Sequence, residues 1–379
     1  MNNVDKQYLN ILNDIIENGV YKETRAGAVR SLFGKTMRFN LKEGLPILTT
    51  KKVFVKGIIH ELLWFLKKTE GRSMNIKYLI ENGVNIWTDD AYRWMKEWVH
   101  KEIIAPQRIF HFYQIKEDKT HWWDNNMIDG NDPNTLLNLS KEDFVQMCLD
   151  NMIIKVPYTD GIEYRFGDLG PVYGVQWRQF GEKKIDQIKR IIDTLRTNPD
   201  DRRLLCVAWN ANDMEDMALP PCHYGFQVYT RELTPFERLE WLWEHSDGDY
   251  DEWKSPTHEV LDELNVPRRE LSLMFNMRSN DFCCGNPYNV TQYSMLAYML
   301  CEICNMSLGE VIYVGGDVHV YENHIEAAKE QLSRSGCDKL PTLKFRRKLN
   351  EIEDFTYDDF IIENYQSDPP IKYQLNVGL

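Results

Sequence analysis

The segment Val55–Leu66, VKGIIHELLWFL, sets apolar side chains on nearly every face of a helix. A helix of that kind must be wrapped by protein on all sides, so the chain has to build several layers around it. A length of 379 residues with 43% hydrophobic content supplies the material. One residue in the segment breaks its rule. Glu61 sits among Ile58, Leu62 and Phe65, at i−3, i+1 and i+4. Burial disfavours the ionised carboxylate and raises its pKa towards neutrality, which suits proton transfer. A glutamate at the helix edge, reaching solvent or an arginine, is the other reading.

The charge balance narrows the partners. There are 45 Lys+Arg against 58 Asp+Glu, a net charge of −13, so a general nucleic-acid coat is excluded and any anion must meet a local cluster of cations. The opening MNNVDKQYLN lacks the basic-then-apolar layout of a signal peptide, and no stretch has the roughly 18 uncharged apolar residues of a membrane span. A soluble, cytoplasmic protein is expected. The eight cysteines show no regular pairing and are read as reduced thiols. Cys283–Cys284 and Cys301–Cys304 lack a matching Cys/His pair at finger spacing, so no metal is expected.

Apolar spacing predicts a helix over 5–18, strands around Leu32–Leu41 and Ile47–Thr50, the buried helix over 55–66, and a helix over 184–197. RRLLCVAWN, CHYGFQVYT and RELSLMFNMRSND have strand character, and 290–305 reads as helix. Residues 96–165 mix Trp, Asp, Asn and Lys without period, and 231–265 are acidic and Trp-rich. Both read as insertions. With no linker or repeat, the chain reads as one domain, 1–379, carrying two excursions.

Several residues ask for a chemical reason. Cys222, after two prolines in LPPCHYGFQ, is either an exposed nucleophile favoured by nearby cations or an inert core thiol. Its neighbour His223 points to the opposite face of a strand and cannot readily serve as its base. Arg25, Arg202, Arg203 and Arg278 come from separate segments. They either converge on a dianion, whose oxygens match their planar forks, or each pair with a surface carboxylate. Asn289, after a Gly-Asn-Pro turn, either stabilises that turn or carries a donor and an acceptor into a pocket.

Seven strings, in order, resemble the thymidylate synthase family: IIHELLWFL, GDLGPVYGVQWR, DRRLLCVAWN, MALPPCH, RSND with GNPYNV, GGDVHVYENH and DFIIENY. The resemblance runs through nearly the whole chain outside the two insertions. It implies an α+β fold, a large twisted mixed sheet with helices on one face and a sheet-to-sheet homodimer. It also implies a reaction in which the one-carbon unit of 5,10-methylenetetrahydrofolate is transferred to C5 of dUMP and reduced, giving dTMP and dihydrofolate. By resemblance Cys222 is the nucleophile that adds to C6 of the uracil. Glu61 and Tyr173 belong to the proton-transfer network. Arg25, Arg202, Arg203, Arg278 and Ser279 clamp the phosphate, with Arg202 and Arg203 reaching in from the partner subunit. His319 and Tyr321 hold the sugar 3′-hydroxyl, while Gln227 and Asn289 face the nucleotide, the Asn289 amide suiting O4 and N3–H of uracil rather than cytosine. Trp87, Asp281 and Lys51 face the folate.

The sequence also departs from the family pattern. Met277, Asp90, Phe54, Cys283 and Cys284 replace more usual residues, and the tail YQLNVGL runs two residues longer than the common form. Because exclusion of water decides whether an exocyclic methylene takes hydride or water, Asp90 and the altered tail keep a dUMP hydroxymethylase as an alternative. A non-catalytic nucleotide- or RNA-binding homologue is a third reading, opposed by the joint presence of Cys222, the arginines and Asn289.

Overall fold

A computed structural model of the chain describes residues 1–69, 71–116, 119–122, 132–246 and 257–373. The Asn3–Asn18 helix opens it, capped by the Asn2 side chain, which accepts from the Asp5 N–H at 2.9 Å. Strands β1 (Val20–Thr24) and β2 (Gly27–Asn40) follow as a hairpin whose turn carries Arg25. The Val55–Leu66 helix spans the residues the sequence predicts and buries most of its faces, Glu61 included.

Residue 96, where the sequence places the start of the first excursion, lies within a Thr88–Val99 helix that runs into a π-helical turn at His100–Ile104. Strands β3 (His111–Lys116), β4 (Lys119–Trp122), β5 (Met152–Lys155) and β6 (Glu163–Arg165) then make a separate antiparallel sheet in the order β4-β3-β5-β6. Met95, Val99, Ile103, Phe110, Phe144 and Phe166 join the excursion to the main core.

The main sheet resumes with β7 (Leu205–Val207), β8 (His223–Glu232), β9 (Arg269–Asp281) and β10 (Ser307–Tyr321). A small pair, β11 (Thr342–Phe345) and β12 (Phe360–Glu363), follows. The six main strands run β1-β2-β10-β9-β8-β7. β9 and β10 are parallel and every other pair is antiparallel, so the sheet is mixed. A parallel pair needs a crossover, and the Gly285–Cys304 helix provides it, buried on nearly every face. The α+β class expected from the sequence is the one observed.

Two local expectations fail for physical reasons. Ile47–Thr50 is a buried loop rather than a strand. The Asp5 carboxylate takes the Thr49 and Thr50 N–H groups at 3.1 Å each, so these donors are satisfied without a ladder. RRLLCVAWN contributes only Leu205–Val207 as strand. Residues 235–245 and 258–263 of the second excursion are helices around a satellite core of Leu239, Leu242, Leu261 and Val266. Among the described residues no helix is long and apolar enough to cross a membrane.

Candidate active site

Strand register gathers the expected residues at one end of the sheet. His223 lies opposite Met277 on β9, Ser279 opposite Asp317 on β10, and Asp281 opposite His319. Next along, His319 faces Ser31 and Tyr321 faces Val29 on β2. Cys222, Arg278, Ser279, Asp281, His319 and Tyr321 therefore share one edge of adjacent strands. Arg25 lies just beyond it in the β1–β2 turn, where Gly27 has φ +121°, a conformation that favours glycine.

Cys222 is partly exposed. Its N–H donates to the Tyr173 hydroxyl at 2.8 Å, and its carbonyl accepts from the Arg278 N–H at 2.8 Å. The Arg278 guanidinium donates to the carbonyls of Pro221 and Pro220 at 2.9 Å each, which leaves one nitrogen 4.0 Å from the Cys222 sulfur. The paired prolines thus present two carbonyls that aim the guanidinium. Burial pushes the Cys222 thiol up, and the neighbouring Arg278 guanidinium pulls it back in part. His223 turns inward, its Nδ1 2.8 Å from the Tyr293 hydroxyl and its ring stacked on Tyr173 with centroids 4.0 Å apart. Burial lowers its pKa to about 3. It is a neutral packing group and no base for Cys222.

Tyr173 is placed by backbone proximity. Its neighbour Gly174 lets the Tyr173–Arg178 helix approach the Val55–Leu66 helix, because a Cβ there would stand 2.8 Å from the Phe65 carbonyl oxygen and 2.7 Å from the Met74 sulfur. On the facing helix Glu61 is 8% exposed. Trp87 Nε1 donates to one carboxylate oxygen at 2.6 Å and Gln292 Nε2 to the other at 2.8 Å. Desolvation outweighs these two bonds and raises the carboxyl to about 7. The buried reading of Glu61 holds, and the group is poised between its two protonation states near neutrality.

Asp281 ends β9 with one oxygen accepting the N–H groups of Cys283 and Cys284 at 2.9 and 3.0 Å. Lys51 is buried, donates to the Cys283 carbonyl at 2.5 Å and lies 4.5 Å from the centre of the Tyr373 ring. Desolvation lowers its pKa. Among the described residues, the ligand atoms of Asp281, Cys283 and His324 all lie within 4.8 Å of one another, the one grouping with metal-ligand proximity, and the buried Lys51 ammonium stands beside it. His319 Nδ1 is 3.4 Å from Asp317, whose pKa falls to about 2, chiefly through that hydrogen bond. Burial lifts Tyr321 to about 12.

Not every expected residue reaches Cys222 within one chain. Arg202 and Arg203 are exposed on the loop before β7, and Gln227 donates to the Arg202 carbonyl at 3.4 Å. That places the pair at least five residues along β8 from Cys222, roughly 17 Å at about 3.3 Å per residue. Arg203 is held by Asp201, while the Arg25 and Arg202 guanidinium groups have no partner among the described residues. Asn289 is in the first turns of the crossover helix rather than in a loop, and its side chain makes no hydrogen bond among the described residues. Asp90, three residues beyond Trp87, is taken by Arg93 at 3.1 Å. The tail from residue 374 onwards lies outside the described residues, so its expected length difference has no structural counterpart here.

Sequence reasoning missed Gln292, Asp317 and Trp209. Gln292 follows Asn289 by three positions on one helix, a spacing that shares a face and gave a usable signal. Trp209 lies 5.7 Å from the Arg278 guanidinium, a contact that only the folded chain displays.

The sequence matches the family described as thymidylate synthase over residues 6–377. It is 35% identical over 374 residues to a thymidylate synthase of Mycoplasma mobile, covering 98% of this chain and all of the relative. It is likewise 35% identical over 386 residues to a thymidylate synthase of Francisella tularensis subsp. holarctica, again covering 98% of this chain and all of the relative.

Proposed function

Because this chain belongs to the thymidylate synthase family, we propose that it converts dUMP and 5,10-methylenetetrahydrofolate into dTMP and dihydrofolate, using Cys222 as nucleophile. The observation that carries this reading is the Cys222 sulfur 4.0 Å from Arg278, at the sheet end shared with Ser279, His319 and Tyr321 and served by the Tyr173 hydroxyl. A vinyl C–H is a poor nucleophile. Addition of the sulfur to C6 makes C5 electron-rich, and C5 then bonds to the one-carbon unit. Loss of the C5 proton and departure of tetrahydrofolate leave an exocyclic methylene. Hydride from the folate reduces it, and the C6–S bond breaks to release dTMP.

In this scheme Arg278 holds the phosphate and favours the thiolate. Glu61, near neutral pKa and fixed by Trp87 and Gln292, moves protons at the ring through water or O4. Asn289 reads the uracil edge. Trp87, Asp281 and Lys51 face the folate, and the buried Lys51 ammonium complements its negative charge. The idle Arg25 of the same chain and Arg202 and Arg203 of a second chain complete the phosphate clamp, so the active unit is a homodimer. The chain works as a cytoplasmic enzyme. The names of the relatives favour the methyl product over the hydroxymethyl one.

Incubation with dUMP and methylenetetrahydrofolate tests the reading. Product mass should correspond to dTMP, with dihydrofolate absorbance rising in step. 5-Hydroxymethyl-dUMP with tetrahydrofolate would assign the hydroxymethylase instead, and no turnover would remove the enzymatic reading.

A further inference from the structure

Among the described residues the second excursion makes no hydrogen bond to Cys222, yet its base is tied to the loop that bears Arg202 and Arg203. The Gln187–Thr197 helix ends there, and the chain runs through Pro199, Asp200 and Asp201 before the two arginines. Thr230, 4% exposed near the end of β8, donates its hydroxyl to the Pro199 carbonyl at 2.8 Å. Arg269, the first residue of β9, donates Nε to that same hydroxyl oxygen at 3.0 Å and pairs through another nitrogen with Asp200. The Arg269 side chain is only 15% exposed, whereas that of Asp200 is 70% exposed. A largely buried guanidinium thus holds the loop directly at Asp200 and through Thr230 at Pro199.

The excursion in turn fixes Arg269. Arg231, which faces Glu270 across the strand pair, bonds to Glu270 at 2.9 Å and to Glu237 on the Pro235–His245 helix at 2.8 Å. Arg268 bridges Glu232 at 2.8 Å and Asp262 at 3.1 Å. Asp262 also pairs with the fully buried Arg238 at 2.6 Å. The two helices therefore brace the paired ends of β8 and β9, where Arg269 stands opposite Glu232.

We infer that Arg269, through Thr230 and Asp200, is a positioning residue for the Arg202–Arg203 loop, and that the second excursion is the brace which keeps this arm set for the nucleotide phosphate of the partner subunit. The inference rests on the proposed reading that these two arginines clamp that phosphate. Two effects act together. The Pro199 carbonyl is pinned, which sets the loop path, and the Asp200 carboxylate is held by Arg269, away from Arg202. A released Asp200 would pair with Arg202 and cancel the charge that the phosphate needs.

The test measures dUMP and deoxyuridine binding together with KM and kcat in the full-length enzyme. Arg269→Ala should raise the KM for dUMP about 10-fold with kcat within twofold, and should leave deoxyuridine binding unchanged, since that nucleoside lacks the phosphate. Thr230→Val, nearly isosteric, should show the same split more weakly and decides the matter should Arg269→Ala fail to fold. Asp200→Asn in the Arg269→Ala background should recover part of the lost dUMP affinity. A paired control, Arg202→Ala with Arg203→Ala, separates the two layers. If it leaves dUMP affinity unchanged, the clamp reading and this inference both fall. If it weakens dUMP binding while Thr230→Val and Arg269→Ala keep the wild-type KM, or weaken dUMP and deoxyuridine alike, the brace alone is overturned.

Discussion

The two walls of the site differ in how their polar groups are satisfied. The wall built by the Val55–Leu66 helix is sealed: both Glu61 oxygens have a donor, and Trp87, Phe65 and Tyr173 close around them. The rim built by strand ends, the β1–β2 turn and the start of the crossover helix is open, with Arg25 and Asn289 lacking any side-chain partner among the described residues. A sealed wall can hold a carboxyl at an unusual pKa because burial strips most of its solvation. Idle guanidinium and amide groups cost little while solvated, and they stand ready for the oxygens of a ligand. Chemistry is thus prepared inside the protein, while recognition is left for the substrate to complete.

Breaking the link between wall and rim should have the largest effect. Cys222→Ser keeps the shape but exchanges a thiol for a far less acidic hydroxyl, and turnover should fall ~10⁴-fold or more while dUMP binding persists. Single-turnover assays and nucleotide titration check both halves. Equal loss of binding would show that Cys222 shapes the pocket instead of reacting.

Glu61→Gln probes the sealed wall alone. Turnover should drop about 10²-fold, and the limb of the pH–rate profile near 7 should vanish. Stability should move the other way. The folded carboxyl at about 7, against 4.5 unfolded, binds its proton more tightly when folded, so rising pH between these values destabilises the wild type by about 3 kcal/mol at roughly 1.4 kcal/mol per unit. The Gln variant lacks this loss and should be the more stable of the two at pH 8 but not at pH 4, as urea titrations at both values would reveal. An unchanged pH–stability slope would contradict a raised carboxyl pKa.

Arg278→Lys tests the rim. An ammonium cannot reach both proline carbonyls and a phosphate in one plane, so the KM for dUMP should rise about 10-fold and thiol alkylation at fixed pH should slow. Leu239→Ala lies far from both walls, in the satellite core. It should cost about 2 kcal/mol of stability with no change in kcat, and a change in kcat would tie that core to the chemistry.

The elements that carry the site were legible because their patterns are periodic and self-contained. The Val55–Leu66 helix and the Arg269–Asp281 strand have the bounds that the sequence predicts. The strand expected at Ile47–Thr50 was misread because its donors go to Asp5, a partner 44 residues away in sequence that no local pattern reveals. Residues 96–165 read as aperiodic because their strands and helices are too short to repeat a pattern, and they pack against the main core. Cys222 and Glu61 could be singled out from local context. The Trp87 and Gln292 bonds that fix Glu61, and the proline carbonyls that aim Arg278, arise from chain crossings that only folding creates.

The parallel pairing of β9 with β10 bears on when activity can arise. Asp281 closes one strand and His319 lies near the end of the other, with the whole Gly285–Cys304 helix between them. Neither residue can find its place until that helix has docked and the returning strand has slotted between its neighbours, a long-range and therefore slow event. A refolding chain would regain most of its helical signal before it could capture a nucleotide, so ligand capture should report the last stage of maturation.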